Sequence, residues 1–127
     1  LMARKLISGE ELWKRKYSSY QNMGVGPLEL VLTDAKSHVY AVDRSNGSEK
    51  WANTQLSYRN LTAPVTFGDY VVVGDGEGYL YWLDDASGRI VAMQELDSDG
   101  LYVAPVADGD ILYVQTRSGD LVALKRP

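Results

Sequence analysis

The sequence repeats itself at an interval of about 41 residues, a length that belongs to only a few repeat architectures. The same hydrophobic motif recurs at this spacing as Glu29–Asp34, Tyr70–Asp75 and Ile111–Thr116. Pro64 and Pro105 are separated by the same interval. In chains of this kind each repeat unit packs mainly on its neighbours.

Each repeat predicts four short strands separated by tight turns. In the second repeat the strands are expected at Thr62–Phe67, Tyr70–Gly74, Tyr79–Leu83 and Ile90–Glu95, which are rich in Val, Tyr, Leu and Ile. Gly, Asp and Ser lie between them, and these residues tolerate the backbone of hairpin turns. No segment shows the sustained amphipathic pattern of a two-helix repeat. Four antiparallel strands in about 40 residues indicate a blade of a β-propeller, and therefore an all-β fold.

Pro64 and Pro105 fall in the first predicted strand of their repeats. This strand is expected to line the central channel, where it has one unpaired edge. A residue without an N–H group is tolerated at such an edge.

The repeat boundaries predict a partial propeller of three blades in permuted order. One outer strand is expected within residues 9–17, full blades at 20–54 and 60–96, and three strands of a last blade at 100–126. The single outer strand then has no sheet to join, and the last blade has an unpaired edge.

These incomplete ends predict self-association of the chain. We expect copies to join head to tail into a closed ring, with Glu11–Lys16 of one copy completing the last blade of another. Three copies would make nine blades and two copies would make six. A blade from an eight-bladed ring turns by about 45°, which is closer to the rotation in nine blades than in six. The nine-bladed trimer is therefore preferred, with the six-bladed dimer as the alternative.

A second pattern predicts how neighbouring blades contact each other. Ala41, Asp43, Gly47 and Trp51 match the spacing A-x-D-x-x-x-G-x-x-x-W. Asp caps the turn after the third strand, Gly permits a tight reversal, and Trp on the outer strand packs flat on a neighbouring blade.

The other copies of this pattern are incomplete. Asp84 and Gly88 are present with Ala92 at the tryptophan position, while Ala3, Gly9 and Trp13 are present with Lys5 at the aspartate position. The predicted blade-docking residues are Trp13, Asp43, Gly47, Trp51, Asp84 and Gly88.

This motif resembles the tryptophan-docking motif of the quinoprotein-like, or PQQ-repeat, eight-bladed propellers. Within them, the segments Val73–Asp84, Gly88–Ala92, Leu96–Gly100 and Ala104–Val106 resemble the last two blades of the BamB family of outer-membrane assembly lipoproteins. The resemblance runs from about Gly9 to the end of the chain and corresponds to the C-terminal portion of a longer protein.

The resemblance implies a non-catalytic periplasmic scaffold that is attached to the outer membrane. Proteins of this family bind the barrel protein BamA within the barrel-assembly complex and assist insertion of β-barrel proteins. The lipid-bearing N-terminal Cys of the family is absent from this sequence. The family's partner loops lie mainly in middle blades, and one has an acidic pair before a Thr-Thr-Pro. The loops at 59–64 and 100–105 lack those acids, so no partner-binding residue is assigned.

Two alternative functions are a general propeller binding module and a fragment of a PQQ-dependent dehydrogenase. Such dehydrogenases share an adjacent Cys pair and a carboxylate set around Ca²⁺, whereas this chain has no Cys. The glycine-rich segment Gly74–Gly78 has predicted strands on both sides, which favours a hairpin over a phosphate loop. Asp97–Gly100 lacks the Glu of a calcium loop and predicts a connection between blades. His38, the single His, is expected at the surface. No catalytic, cofactor-binding or metal-binding residue is therefore predicted, and no cofactor.

Composition excludes several other classes of protein. The chain has 13 Lys and Arg against 17 Asp and Glu, so it lacks the clustered positive charge that nucleic-acid binding requires. No apolar run is long enough for a membrane helix.

Three tyrosines fall near the predicted blade connections: Tyr20, Tyr58 and Tyr102. Their side chains are expected either to pack at the rim or to form an aromatic surface that binds an extended peptide.

Overall fold

The computed structural model describes residues 10–16, 20–101 and 103–127, and the regular structure in these ranges consists of β-strands. The strands are β1 (Tyr20–Val25), β2 (Glu29–Asp34), β3 (Val39–Asp43), β4 (Glu49–Asn53), β5 (Val65–Phe67), β6 (Tyr70–Gly74), β7 (Tyr79–Asp84), β8 (Ile90–Glu95), β9 (Val106–Asp108), β10 (Ile111–Gln115) and β11 (Leu121–Lys125). Over the same ranges, no helix has the length and hydropathy needed to cross a membrane.

The strands form three antiparallel sheets, each following the chain in order. The first sheet is β1–β4, the second is β5–β8 and the third is β9–β11. The predicted all-β class, with sheets of four, four and three strands, is confirmed. The repeat extends to local detail, because the pairing of the third and fourth strands shifts register after Ala41 in the first sheet and after Trp82 in the second. These two irregularities are separated by one repeat interval in the sequence.

The three sheets are arranged side by side around their first strands. Strand β1 contacts β5, and β5 contacts β9. The Thr66 hydroxyl on β5 donates to the carbonyl of Val25 on β1 at 3.3 Å. Gly24 lies so close to the carbonyl of Pro64 that a side chain at this position would overlap it. Contact between successive innermost strands is the geometry of propeller blades around an axis.

Two apolar cores join the sheets. The core between the first and second sheets contains Val31, Val39, Ala41, Trp51, Leu56, Leu61, Val71, Val73, Tyr81 and Leu83. The core between the second and third sheets contains Phe67, Val72, Leu80, Trp82, Leu101, Leu112 and Val114. Since successive strand residues point to opposite faces, the second sheet contributes to both cores and is buried on both sides. This explains the almost continuous apolar sequence of β6 and β7.

Two local predictions differ from the structure. Pro64 and Pro105 immediately precede β5 and β9 instead of lying within them, since a proline has no N–H to donate to the sheet. Residues 10–16 form no strand in the single chain, although an outer strand was predicted at Glu11–Lys16. A strand needs a neighbouring sheet edge, and these residues meet none in the described part of the chain. Ala3 and Gly9 lie outside the described residues.

Candidate functional site

The predicted docking residues of the first sheet form a tight turn between β3 and β4. The Asp43 carboxylate accepts hydrogen bonds from the hydroxyl and the backbone N–H of Ser45. These bonds lower the pKa of Asp43. Gly47 donates its N–H to the Asp43 carbonyl at 2.8 Å and has a φ of 75°, a conformation that favours glycine.

The second sheet repeats this turn between β7 and β8. The Asp84 carboxylate accepts from the N–H and hydroxyl of Ser87 at 3.1 and 2.7 Å. Gly88 donates to the Asp84 carbonyl at 2.7 Å and has a φ of 76°. The same turn is thus built twice, one repeat interval apart, from Asp and Gly at equal spacing.

Each of these turns receives a tryptophan from the preceding part of the chain. The Trp51 indole covers Gly88, and its Nε1–H donates to the carbonyl of Asp85 at 2.7 Å. The Trp13 indole covers Gly47 in the same way, and its Nε1–H donates to the carbonyl of Arg44 at 2.7 Å. A Cβ atom on either glycine would overlap the indole ring. The contact therefore needs both residue types, glycine for space and tryptophan for a flat ring with one donor.

A second donor accompanies each tryptophan, and the motif did not predict it. Arg15 donates from Nε to the Gly47 carbonyl at 3.1 Å, and Asn53 donates from Nδ2 to the Gly88 carbonyl at 2.6 Å. Both residues lie two positions after a tryptophan. The regular position was visible in the sequence, but the side chains are chemically different, so only the structure shows that they act alike.

Capped hairpin turns form a second repeated feature. They lie where β2 and β6 end, at the side of each sheet opposite to the glycine turns. The Asp75 carboxylate is fully buried and accepts from the N–H groups of Glu77 and Tyr79, each at 2.9 Å. It also accepts from the Tyr81 hydroxyl at 2.7 Å. Burial and this hydrogen bond raise the pKa of Tyr81. The glycine-rich segment Gly74–Gly78 is therefore the predicted hairpin turn.

We expect Tyr81→Phe to destabilise the protein by about 1–2 kcal/mol, because the buried Asp75 carboxylate loses a donor. Urea denaturation at neutral pH measures this change. Tyr79→Phe is the matched control, since the two rings are neighbours at 6.3 Å between centroids, and we expect a change of about 0.5 kcal/mol or less. Equal effects of the two substitutions would contradict this assignment.

The corresponding cap in the first sheet includes the single histidine. His38 lies at the surface with its side chain half-buried. Its Nδ1 lies 3.3 Å from the Tyr40 hydroxyl and 3.5 Å from Asp34 Oδ2. Its Nε2 lies 3.1 Å from the Ser57 hydroxyl. Burial would raise the pKa of Asp34, but hydrogen bonds from the N–H groups of His38 and Lys36 and from Tyr40, with the charge of His38, lower it.

The cluster contains the three residue types of a hydrolytic triad, Asp34, His38 and Ser57. Their hydrogen bonds, however, do not have the arrangement of a triad. A nucleophilic serine gives its proton to the histidine. Here the Ser57 hydroxyl donates to the carbonyl of Thr54 at 2.6 Å. The Asp34 carboxylate caps the backbone of its own hairpin. The cluster therefore ties the connection after β4 to the β2–β3 hairpin.

The remaining sequence candidates have structural positions. The Asp97 carboxylate accepts from the N–H and hydroxyl of Ser118, both at 2.9 Å, and so joins the connection after β8 to the β10–β11 turn. This agrees with a connection between blades.

Among the described residues, no group of three or more His, Cys, Asp or Glu side chains could hold a metal ion. Tyr58 is exposed, whereas residue 102 and the Tyr20 side chain lie outside the description, so an aromatic surface stays a prediction.

Antiparallel four-stranded sheets around an axis, joined by tryptophan on a glycine turn, define a segment of a quinoprotein-like β-propeller. The family model for outer membrane protein assembly factor BamB matches residues 1–53 and 56–126. The chain therefore belongs to the BamB family.

Individual relatives and structures agree with this membership. The chain is 44% identical over 127 residues to outer membrane protein assembly factor BamB of Shewanella oneidensis, covering 100% of this chain and 32% of the relative. The crystal structure of BamB from Moraxella catarrhalis has a TM-score of 0.74 at 27% identity, covering 82% of this chain and 30% of that one. A quinohemoprotein alcohol dehydrogenase from Pseudomonas putida has a TM-score of 0.69 at 18% identity, covering 90% of this chain and 20% of that one, which shows a shared fold.

The chain spans about a third of the length of the curated relatives, 32% for the relative from Shewanella oneidensis. The match therefore says nothing about the other two thirds of those relatives. The activity and partners of a whole assembly factor are therefore inferred for this chain below.

Proposed function

We propose that this chain is a structural segment of an outer-membrane protein assembly factor and acts as a non-catalytic scaffold. The match of the BamB family model to nearly the whole chain carries this proposal. By the family resemblance, the complete protein works in the periplasm at the outer membrane, with BamA of the barrel-assembly complex as its partner. The dehydrogenase alternative has less support, because the described residues do not assemble a carboxylate set for Ca²⁺.

A chimera tests the proposal. The C-terminal third of the Shewanella oneidensis factor is replaced by this chain and produced in cells lacking the native factor. We expect the chimera to restore outer-membrane protein levels and to copurify BamA. The matched control is the same chimera with Asp99→Asn at an exposed loop position, which should behave identically. A folded chimera that neither restores these levels nor retains BamA would favour the general binding module.

We further propose that the six predicted docking residues hold adjacent blades together. The tryptophan-on-glycine contacts described above support this role for Trp51 between the first and second sheets. The same contact by Trp13 supports a preceding blade position for residues 10–16. Asp43 and Asp84 shape the turns that present the glycines.

We also propose that the isolated chain associates head to tail into a trimer. The third sheet has three strands, and residues 10–16 are without a sheet in the single chain. Val106 and Tyr113 are exposed on the face of the third sheet turned away from the second. Met23 and Val25 are exposed on the outward face of the first sheet. In the trimer, one neighbouring copy would cover the face of the first sheet, and the other would cover the face of the third sheet and supply its fourth strand.

The mass of the particle in solution tests self-association. Sedimentation equilibrium should give about 42 kDa, three times the 14.1 kDa of one chain. A Tyr113→Lys substitution on the outward face of the third sheet should shift the mass toward that of the single chain, because it places a charge in the contact. A folded wild-type monomer would contradict the proposal.

A further inference from the structure

Two carboxyl groups meet at the contact between the first and second sheets. Glu29 is at the start of β2 and its side chain is buried, with 2% of the residue exposed. Asp85 follows β7, and its carboxyl faces that of Glu29. The backbone of Asp85 is held on both sides, since its N–H donates to the Asp69 carbonyl at 2.9 Å and its carbonyl accepts from Trp51. The carboxyl pair therefore lies beside the tryptophan contact that joins the two sheets.

Each of the two carboxyl groups has one buried oxygen without a hydrogen-bond partner among the described residues. These oxygens are Glu29 Oε1 and Asp85 Oδ1. A buried polar atom without a partner destabilises the folded state. Two carboxylates cannot donate to each other, so a hydrogen bond between them requires that one carboxyl keep its proton.

The charged groups around the pair do not remove this requirement. Lys50 on β4 favours the ionised form of Asp85, whereas Glu29 and the adjacent Asp84 favour the protonated form. The Arg44 guanidinium donates to the carbonyls of Gly26 and Pro27, at 2.9 and 3.2 Å. Within the described ranges, no third acidic or histidine side chain completes a metal site here.

We propose that Glu29 and Asp85 share one proton in the folded protein and form a pH-sensitive link between the first two blades. The link is strongest while the proton is held. When the proton is lost, the buried negative charge of Glu29 faces the partly buried negative charge of Asp85 across the blade contact, and their repulsion weakens the contact.

The raised pKa of Asp85 agrees with this link. Burial, followed by the hydrogen bond with Glu29 and its negative charge, raises the pKa of Asp85 from 3.8 to about 6. The folded state therefore binds more protons than the unfolded state between about pH 4 and 6. The stabilisation is fully present below the unfolded pKa and is lost as the pH rises through the folded pKa.

Urea denaturation of the full 127-residue chain tests the proposal. Unfolding is monitored by tryptophan fluorescence at a series of pH values between about 5 and 7.5. For the wild type, the unfolding equilibrium constant should increase by up to about tenfold over this range, because the unfolded pKa of Asp85 lies below the range and the folded pKa lies within it. Asp85→Asn should remove most of this increase, because the Asn amide donates to Glu29 without a titrating proton. Comparing the two slopes removes the contributions of the groups that the substitution leaves unchanged.

Asp99→Asn is the matched control, because it removes an exposed loop carboxylate at the same charge change. It should leave the slope unchanged. Equal slopes for the wild type and Asp85→Asn would overturn the proposal. A calcium effect would also overturn the proposal. If millimolar CaCl₂ at about pH 7.5 stabilised the wild type but not Asp85→Asn, the pair would hold a cation instead of a proton.

A measurement on the wild type alone covers the case in which Asp85→Asn fails to fold. ¹³C NMR of the side-chain carboxyls should show one proton released from the Glu29–Asp85 pair near pH 6. Both carboxyls ionised already at about pH 5 would overturn the shared proton.

Discussion

Replacing Trp51 by alanine is expected to destabilise the protein by about 3–5 kcal/mol. Trp51 is 7% exposed and belongs to the core between the first and second sheets. Truncation removes this apolar area, leaves a cavity above Gly88 and deprives the Asp85 carbonyl of its donor. Urea denaturation at neutral pH measures the loss.

Trp13→Ala is the matched control for this prediction. Trp13 makes the same contact with Gly47 and the same kind of hydrogen bond, but it is partly exposed and belongs to residues outside any sheet. We expect a loss of about 1 kcal/mol in the single chain. If Trp51→Ala were no more destabilising than Trp13→Ala, the contact between the first two sheets would not depend on the indole.

Replacing Gly88 by alanine is expected to destabilise the protein by about 3 kcal/mol, through backbone strain and overpacking together. The φ of 76° is unfavourable for a residue with a side chain. In addition, the new Cβ would overlap the Trp51 ring, which is itself held in the core. The midpoint of urea denaturation should fall without a change in slope.

Two controls separate backbone strain from the overlap. Gly109 has a φ of 60° and nothing within 4 Å of an added Cβ, so Gly109→Ala should cost about 1 kcal/mol through strain alone. In a Trp51→Ala background, Gly88→Ala should likewise cost about 1 kcal/mol, because the overlapping ring is gone. Additive effects of Trp51→Ala and Gly88→Ala would mean that the two residues do not interact.

Much of the strand pattern was predictable because side-chain chemistry and turn chemistry agree in every repeat. The strands Tyr70–Gly74 and Ile90–Glu95 lie where the pattern placed them. Each has apolar or β-branched residues bounded by glycine-containing turns. The first strand of the second repeat was predicted too long, since the sheet begins after Pro64.

The contacts of the site were less predictable, because they join residues far apart in the sequence. The pattern singled out Trp51 and Gly88, but it could not show that Asn53 supports the same glycine through its carbonyl. The pairing of Glu29 with Asp85 was missed altogether. Neither carboxyl belongs to a motif, and strand pattern alone does not identify which acidic residues face each other across a blade contact.

The sequence by itself determines the unit of this protein, since a regular repeat with four strand-forming segments and two Asp-to-Gly turns permits little other than propeller blades. Only the tertiary structure decided which atoms join one blade to the next. It placed the Trp51 indole over Gly88, the Asn53 amide on the Gly88 carbonyl and the Asp85 carboxyl against Glu29. The physical reason is that strand formation depends on local side-chain alternation and turn residues. Contacts between blades depend instead on the angle and distance at which two complete sheets pack.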